Sequence, residues 1–390
     1  MSNIYNIKLY DETLITFEFK DDEDEGLISN ILEVNSEKNY LLPLDMELNN
    51  EGLLRWLRRR VIPKNRRFVH NILSSLNLKL NDTKGIIDVC LGLSLNDSYW
   101  IVPNDFTGKF ADYNLYENRF SEALSLIAYT GVGTTNRIKT SPELTTNGML
   151  RKAWRFFDGD GIYLYKGGTE GAINAGKEPY SEFYASQIAE RMGLNYVRYD
   201  LANWKGILAS TCKLFTDIDT SYVPIGYLID NITIRKCLKY YQQMGKNSYD
   251  ELCSMLVFDA LIYNEDRHFG NFGVLRDNHS GKIISPAPIF DNGLSLFNFA
   301  MDDEIKNLEE YAKGRTNPYY MEYEEVCKLA MGAKQKEQLR RMIGFKFERH
   351  PTYNLPEDRL TAIEKQIQLR TRELLEIPIR KKNKDKSMDL

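Results

Sequence analysis

Asp266, Asn271 and Asp291 are the residues of this 390-residue chain whose types and spacing point most directly to chemistry. The first two stand in Asn264-Glu265-Asp266-Arg267-His268-Phe269-Gly270-Asn271, and the third in Phe290-Asp291-Asn292-Gly293. An amide oxygen plus a carboxylate is a hard-oxygen pair suited to Mg²⁺, an ion that keeps several waters and takes further ligands from substrate phosphates. Asp266, five residues before Asn271, is then placed to orient a hydroxyl nucleophile or accept its proton.

Two elements must bring these groups together. Ser248-Tyr249-Asp250-Glu251 reads as a capping box opening a helix whose body carries Leu252, Met255, Leu256, Leu261 and Ile262. That helix delivers the chain to the polar loop, where crowded polar groups beside a buried helix are expensive unless they have a function. Downstream, 272–275 and 282–284 read as strands joined by Asp277-Asn278-His279-Ser280-Gly281. A hairpin returns to its start, so Asn271 and Asp291 are expected to face one space.

Asp-x-x-x-x-Asn followed about twenty residues later by Asp-x-Gly is the metal and base arrangement of the protein-kinase-like fold. The form Asn-x-Asp-Arg-His-x-x-Asn resembles the bacterial HipA-like serine/threonine kinases and, more distantly, the phosphatidylinositol kinases. Its Asp-Arg-His order inverts the His-Arg-Asp of ordinary eukaryotic protein kinases. The resemblance implies an α+β, protein-kinase-like bilobal fold with an additional small N-terminal α/β domain. It makes Asp266 the catalytic Asp and Asn271 and Asp291 the metal ligands. Arg267 anchors the catalytic loop, and His268 either assists proton transfer or holds the metal loop.

The same template asks for a strand Lys on the nucleotide phosphates and a helix Glu that holds it. Lys166, in Gly161-Ile162-Tyr163-Leu164-Tyr165-Lys166-Gly167-Gly168, fits the first, with an edge-strand solubilising Lys as the bland alternative. Glu182, in the helix opened by Pro179-Tyr180-Ser181, fits the second, with a first-turn dipole residue as the alternative. The run Ser141 to Gly148 resembles a HipA-type phosphate loop, although it lacks Gly-x-Gly-x-x-Gly and also reads as a surface turn. It supplies Thr145, Thr146 and Gly148 as ATP-binding candidates, and the two threonines as candidate autophosphorylation sites. ATP and Mg²⁺ are the implied cofactors, a protein Ser/Thr hydroxyl the acceptor, and an antitoxin-like regulator a candidate partner.

Around these motifs the chain divides, by composition, into an α/β unit over 1–115, a kinase domain over 130–377 (lobes 130–225 and 230–377) and a basic tail over 378–390. The resemblance spans about 130–345, and 1–115 match no HipA N-terminal pattern. Asn6 to Phe19 suggests a hairpin, Asp21 to Glu25 an acidic turn, and Leu53, Leu54, Leu57 and Val61 one helical face ended by Pro63. Seven basic residues and no acid lie between Arg55 and Arg67, a solvated or docking face rather than a phosphate patch. Lys plus Arg is 51 against Asp plus Glu 55, which disfavours direct nucleic-acid binding. Five acids against one Lys over 301–310 favour a protein acceptor over a phosphoinositide headgroup. A lipid or small-molecule kinase and a kinase-fold regulatory or nucleic-acid-binding module remain the alternatives. The five cysteines form no Cys-x-x-Cys pair, and four His make a zinc cage improbable. No apolar run reaches the roughly 18–20 residues of a membrane helix and no signal-peptide layout is present, so a soluble cytoplasmic protein is expected.

Overall fold

The computed structural model describes residues 3–22, 26–133 and 140–380. The acidic stretch at 23–25, the linker at 134–139 and the tail from 381 lie outside them. The chain forms two compact units. One comprises Met1–Thr169, Ala202–Asp230 and Gly273–Ala287; the other Glu170–Leu201, Asn231–Phe272 and Pro288–Leu390.

The first unit opens with the expected hairpin, β1 (Ile4–Leu9) and β2 (Glu12–Asp22), widened by β3 (Gly26–Val34) and β4 (Tyr99–Pro103) into the order β3-β2-β1-β4. Alternation buries Tyr5, Ile7 and Leu9 with Ile15, Phe17 and Phe19. The helix α1 (Asn50–Arg59) adds Leu53, Trp56 and Leu57 to that core. Its start is capped by Asn49, whose side chain accepts from Gly52 N at 2.7 Å. Helices α2 (Val69–Ser75), α3 (Thr83–Cys90), α4 (Phe110–Tyr113) and α5 (Glu122–Thr130) follow. Ile72, Leu73, Ile86, Leu124, Ile127 and Leu144 make a second core.

A second sheet contains β5 (Lys152–Phe157), β6 (Gly161–Gly167), β7 (Tyr199–Trp204) and β8 (Ile207–Lys213) in the order β5-β6-β8-β7. Lys166 therefore stands on an interior strand, which removes the edge-strand reading. A third, β9 (Thr220–Pro224), β10 (Gly273–Asp277) and β11 (Ile283–Pro286), has β10 at its centre. Gly273 has to be glycine there, because a β-carbon would lie 2.1 Å from the Val223 carbonyl oxygen. The β10–β11 hairpin closes as expected, with Ala287 N donating to Gly273 O at 3.0 Å.

The basic run is not a continuous surface. Arg55 pairs with Glu47 at 2.7 Å and Arg59 with Asp45 at 3.2 Å. Arg60 is buried and grips Asp97 through two nitrogens at 2.8 and 2.9 Å. Arg66 is buried against Glu143 at 3.0 Å.

The second unit is mostly helical: α6 (Glu178–Met192), α7 (Ile234–Met244), α8 (Lys246–Ile262), α9 (Asp302–Lys306), α10 (Leu308–Lys313), α11 (Tyr323–Ala330), α12 (Ala333–Arg340) and α13 (Glu357–Glu376). The core helix is α8, packed on by α7, α11, α12 and α13 and buried from Leu252 through Ile262. It starts two residues before Ser248, so the expected capping box is not its terminus. Gly245, at φ +123°, breaks α7 from α8 and sets the boundary instead. Among the described residues no helix is long and apolar enough to cross a membrane. All five cysteines are buried and none forms a disulfide.

Candidate active site

In the second unit the site is built on the end of α8. Tyr263 terminates the helix in the left-handed region at φ 52° and turns the chain into the polar loop. One turn earlier, Asp259 is the lone charge in the apolar body of α8 and is itself buried. Its carboxylate accepts from Asn264 Nδ2 at 3.0 Å and from Arg267 Nε at 3.0 Å and Nη2 at 3.2 Å.

Arg267 is fully buried, and every nitrogen of its fork is used. Nη1 donates to the Asn271 carbonyl at 3.0 Å and to the Phe290 carbonyl, while Nη2 also donates to Asn292 Oδ1. One guanidinium thus ties the loop carrying Asn271 to both neighbours of Asp291. Burial alone would lower the charge affinity of Arg267, but the adjoining Asp259 carboxylate carries its pKa above the ordinary value. Burial likewise raises the Asp259 carboxyl, with the Arg267 contacts pulling the other way.

Asp291 sits at φ +55°, a region uncommon for a non-glycine residue and costing on the order of 1 kcal/mol or more. The surroundings hold it there. Its N–H donates to Tyr199 Oη at 3.1 Å, and Asn292 N donates to Glu182 Oε2 at 2.7 Å. Just before it, Ile289 exchanges backbone hydrogen bonds of 2.9 Å with Asn195 and Val197. Glu182, fully buried on α6, therefore supports the Asp291 segment.

Asn271 Nδ2 donates to the Asp266 carbonyl at 2.9 Å. This fixes which end of the amide is oxygen, leaving Oδ1 as the hard donor a cation would use. Asp266 N in turn donates to Asn264 Oδ1 at 3.0 Å, so the loop is stitched on both sides of the Asp266 side chain. His268 is exposed, and its Nδ1 accepts from Gly270 N at 3.0 Å, which assigns the proton of the neutral ring to Nε2. Among the described residues no three His, Cys, Asp or Glu side chains gather as a metal cluster. The donor set instead fits Mg²⁺ held by one amide and one carboxylate, the rest of its shell being water and phosphate.

The first unit holds Lys166, Thr145, Thr146 and Gly148. Lys166 is buried on β6, directly across from Lys152 of β5 and from Ser210 of β8. Partners in an antiparallel pair share a face, so the two lysines stand side by side. Lys152 Nζ also donates to the Asn147 carbonyl at 2.8 Å, under the tip of the candidate phosphate loop. Thr145 Oγ1 donates to Leu93 O at 2.8 Å, and Thr146 Oγ1 donates to Pro142 O at 2.6 Å while accepting from Trp154 Nε1 at 2.9 Å. Gly148 takes φ +93°, which glycine adopts without strain.

Sequence reasoning missed Asp259 and Lys152. The signal for Asp259 was a single acid in the otherwise uncharged run 252–262. For Lys152 it was the Asp158-Gly159-Asp160-Gly161 turn, whose register sets 152 opposite 166.

No family model matches the chain. In sequence it is 30% identical over 143 residues to the serine/threonine-protein kinase CtkA of Helicobacter pylori, a match covering 32% of this chain and 42% of that protein. The chain thus matches less than half the length of this curated relative. The crystal structure of the H. pylori proinflammatory kinase CtkA aligns with a TM-score of 0.46 at 17% identity, over 60% of this chain and 91% of that one. HipA from Shewanella oneidensis, in a toxin–antitoxin complex with HipB and operator DNA, aligns with a TM-score of 0.55 at 14% identity, over 96% of this chain and all of that one. The fold is therefore HipA-like, and over 143 residues the sequence is similar to that of a bacterial serine/threonine-protein kinase.

Proposed function

We propose that the chain is a Mg-ATP-dependent protein serine/threonine kinase of the HipA-like type. The observation that carries this reading is the Arg267 cross-tie, which binds Asn271 and the Asp291 segment through one buried fork. A loop without chemistry has no need of a strained Asp held by three separate anchors.

In the proposed reaction the acceptor hydroxyl oxygen forms a bond to the γ-phosphorus of ATP. The bond from that phosphorus to the β,γ-bridging oxygen breaks, and ADP leaves. Asp266 orients the hydroxyl and takes its proton. Lys166 steadies the phosphates, with Glu182 as its proposed partner and Lys152 as a second cation on the same strand face. Asn271 Oδ1 and the Asp291 carboxylate would hold Mg²⁺, which supplies charge neutralisation on the β- and γ-phosphate oxygens. Arg267 acts through the residues it holds and is a positioning residue. His268, exposed and holding Gly270 N through Nδ1, is placed either to assist proton transfer or to hold the metal loop.

The nucleic-acid-module reading loses its main support, because Arg60 and Arg66 are consumed by buried acid pairs. An antitoxin-like regulator is proposed as a partner by analogy with the HipB complex alone.

Intact-mass analysis with Mg-ATP and a generic protein acceptor tests the reading. The wild-type chain is expected to transfer phosphate, and Asp266→Ala and Asp291→Ala to lose at least about 100-fold in rate while staying folded. Folded wild-type protein that neither turns over ATP nor labels any acceptor would sink it.

A further inference from the structure

The three consecutive residues Arg66-Arg67-Phe68 precede the segment that carries the kinase-like sequence motifs, yet they grip the Thr146–Lys152 stretch along its length. Arg66 Nη1 donates to the Thr146 carbonyl at 3.0 Å, and Nη2 donates to the Lys152 carbonyl at 2.8 Å. Both stems of the turn are therefore pinned by one side chain. Nη2 also meets Glu143 Oε2 at 3.0 Å, and the other Glu143 oxygen accepts from Trp154 N at 2.7 Å. The Arg67 backbone N–H donates to the Met149 carbonyl at 2.8 Å. The Phe68 ring lies 5.3 Å from the Arg151 guanidinium.

What this leaves loose is as informative as what it fixes. The neck of the turn is buried, with the Arg66 and Glu143 side chains both fully enclosed. The tip is not: Asn147 and Gly148 are exposed, and Met149 is 64% exposed. Lys152, in register with Lys166, reaches the tip from below. A small exposed tip on a rigid neck, above two paired cations, has the chemistry of a site for a polyphosphate. A fully buried guanidinium is expensive unless satisfied, and here its hydrogen bonds all go to the segment 143–152.

We propose that Arg66-Arg67-Phe68 is a template that sets the phosphate-binding conformation of the loop 141–152, with Arg66 as its positioning residue. The inference rests on the kinase reading and assigns the region before the kinase-like sequence motifs a part in nucleotide binding. Arg66 touches no phosphate. It fixes the backbone that does, so its loss should be felt by the triphosphate and not by the nucleoside.

Calorimetric titration of the full chain with two probes, Mg-ATP and adenosine, tests this. Arg66→Lys keeps the charge and loses the planar fork. It is expected to weaken Mg-ATP about tenfold, ~1.4 kcal/mol, and to change adenosine by less than about twofold. Equal losses for both probes, or no loss for either, overturn the proposal. Should Arg66→Lys fail to fold, the double variant Arg66→Gln/Glu143→Gln removes both charges and the planar fork while leaving an amide N–H to donate toward the loop carbonyls and an amide oxygen to accept from Trp154 N. The same selective loss is expected in it, and unchanged ATP affinity overturns the proposal. A folded wild-type chain that binds neither probe overturns the kinase reading itself, and is told apart because the failure precedes any substitution.

Discussion

The candidate catalytic loop and the candidate phosphate loop are held by the same device, a buried Arg fork on a buried carboxylate, but the two clamps are not equally complete. Arg267 spends all three nitrogens on Asp259, two carbonyls and Asn292. Arg66 spends Nη1 and Nη2, and its Nε finds no acceptor among the described residues. The charges follow. Its carboxylate partner holds Arg267 above the ordinary pKa, whereas burial pulls Arg66 below it and pushes Glu143 up to about 7. In the first clamp mutual attraction and added acceptors offset desolvation for the guanidinium, although burial still raises the Asp259 carboxyl; in the second they offset it for neither partner. On the proposed reading, the loop that would place Asp266 and Asn271 is held by the complete clamp, and the loop that would admit nucleotide is held by one near its balance point.

The largest expected effect comes from breaking the complete clamp. Asp259→Ala leaves the Arg267 guanidinium buried and without its carboxylate, a change that typically costs 3–5 kcal/mol. The loss should be local as well as global, because Arg267 is the tie between 264–272 and 290–292. Hydrogen exchange read on peptides covering those two segments is expected to accelerate together, while a peptide covering 141–152 keeps its wild-type rate. Exchange that rises in only one of the two tied segments would refute the cross-tie.

The contrast also explains what could be read beforehand. Asp266, Asn271 and Asp291 were legible because their spacing is local: a loop, a hairpin and a return, all within 266–291. The hairpin itself was legible from its Asp277–Gly281 turn. Arg66 and Glu143 were not, since 77 positions separate them and nothing in the local pattern tells a buried Arg from its exposed neighbours Arg58 and Arg67. The seven-cation run therefore read as one surface although two of its members, Arg60 and Arg66, are buried. The misread capping box has the opposite cause. Ser248 and Glu251 have the right spacing, but the positive-φ Gly245 three residues upstream of that pattern's start had already ended α7 and allowed α8 to begin early.

A middle-sized effect sharpens the comparison through pH. Glu143 faces Arg66 and Lys152, both of which lower its pKa, yet burial dominates and carries it from 4.5 up to about 7. Between those values the folded chain holds a proton that the unfolded chain has released. Stability from this group is therefore fully present below about pH 4.5 and is lost as pH rises through about 7, by at most roughly 3 kcal/mol. Glu143→Gln removes the titration. The thermal midpoint of the variant is expected to equal that of wild type near pH 5 and exceed it at pH 8. A variant less stable than wild type at pH 8 would mean that the ionised pair is net stabilising, and the two clamps would then be alike.

The smallest effect concerns the inner stitch of the incomplete clamp. Trp154 offers two donors to the loop: its backbone N–H to Glu143 and its indole Nε1 to Thr146 Oγ1 at 2.9 Å. Trp154→Phe keeps the backbone bond and an aromatic body and deletes only the indole N–H, so about 1 kcal/mol of stability is expected to go. Thr146 Oγ1 retains its own bond to the Pro142 carbonyl, so no acceptor is stranded that cannot rotate to another partner. If Arg66 sets the neck of the loop and Trp154 merely lines it, Trp154→Phe should weaken Mg-ATP by less than about threefold, since a neutral hydrogen bond contributes roughly half of a charged one. A loss as large as that of Arg66→Lys would move the positioning role from the Arg66–Phe68 template into β5 itself, and the N-terminal segment would be a support for the loop rather than what shapes it.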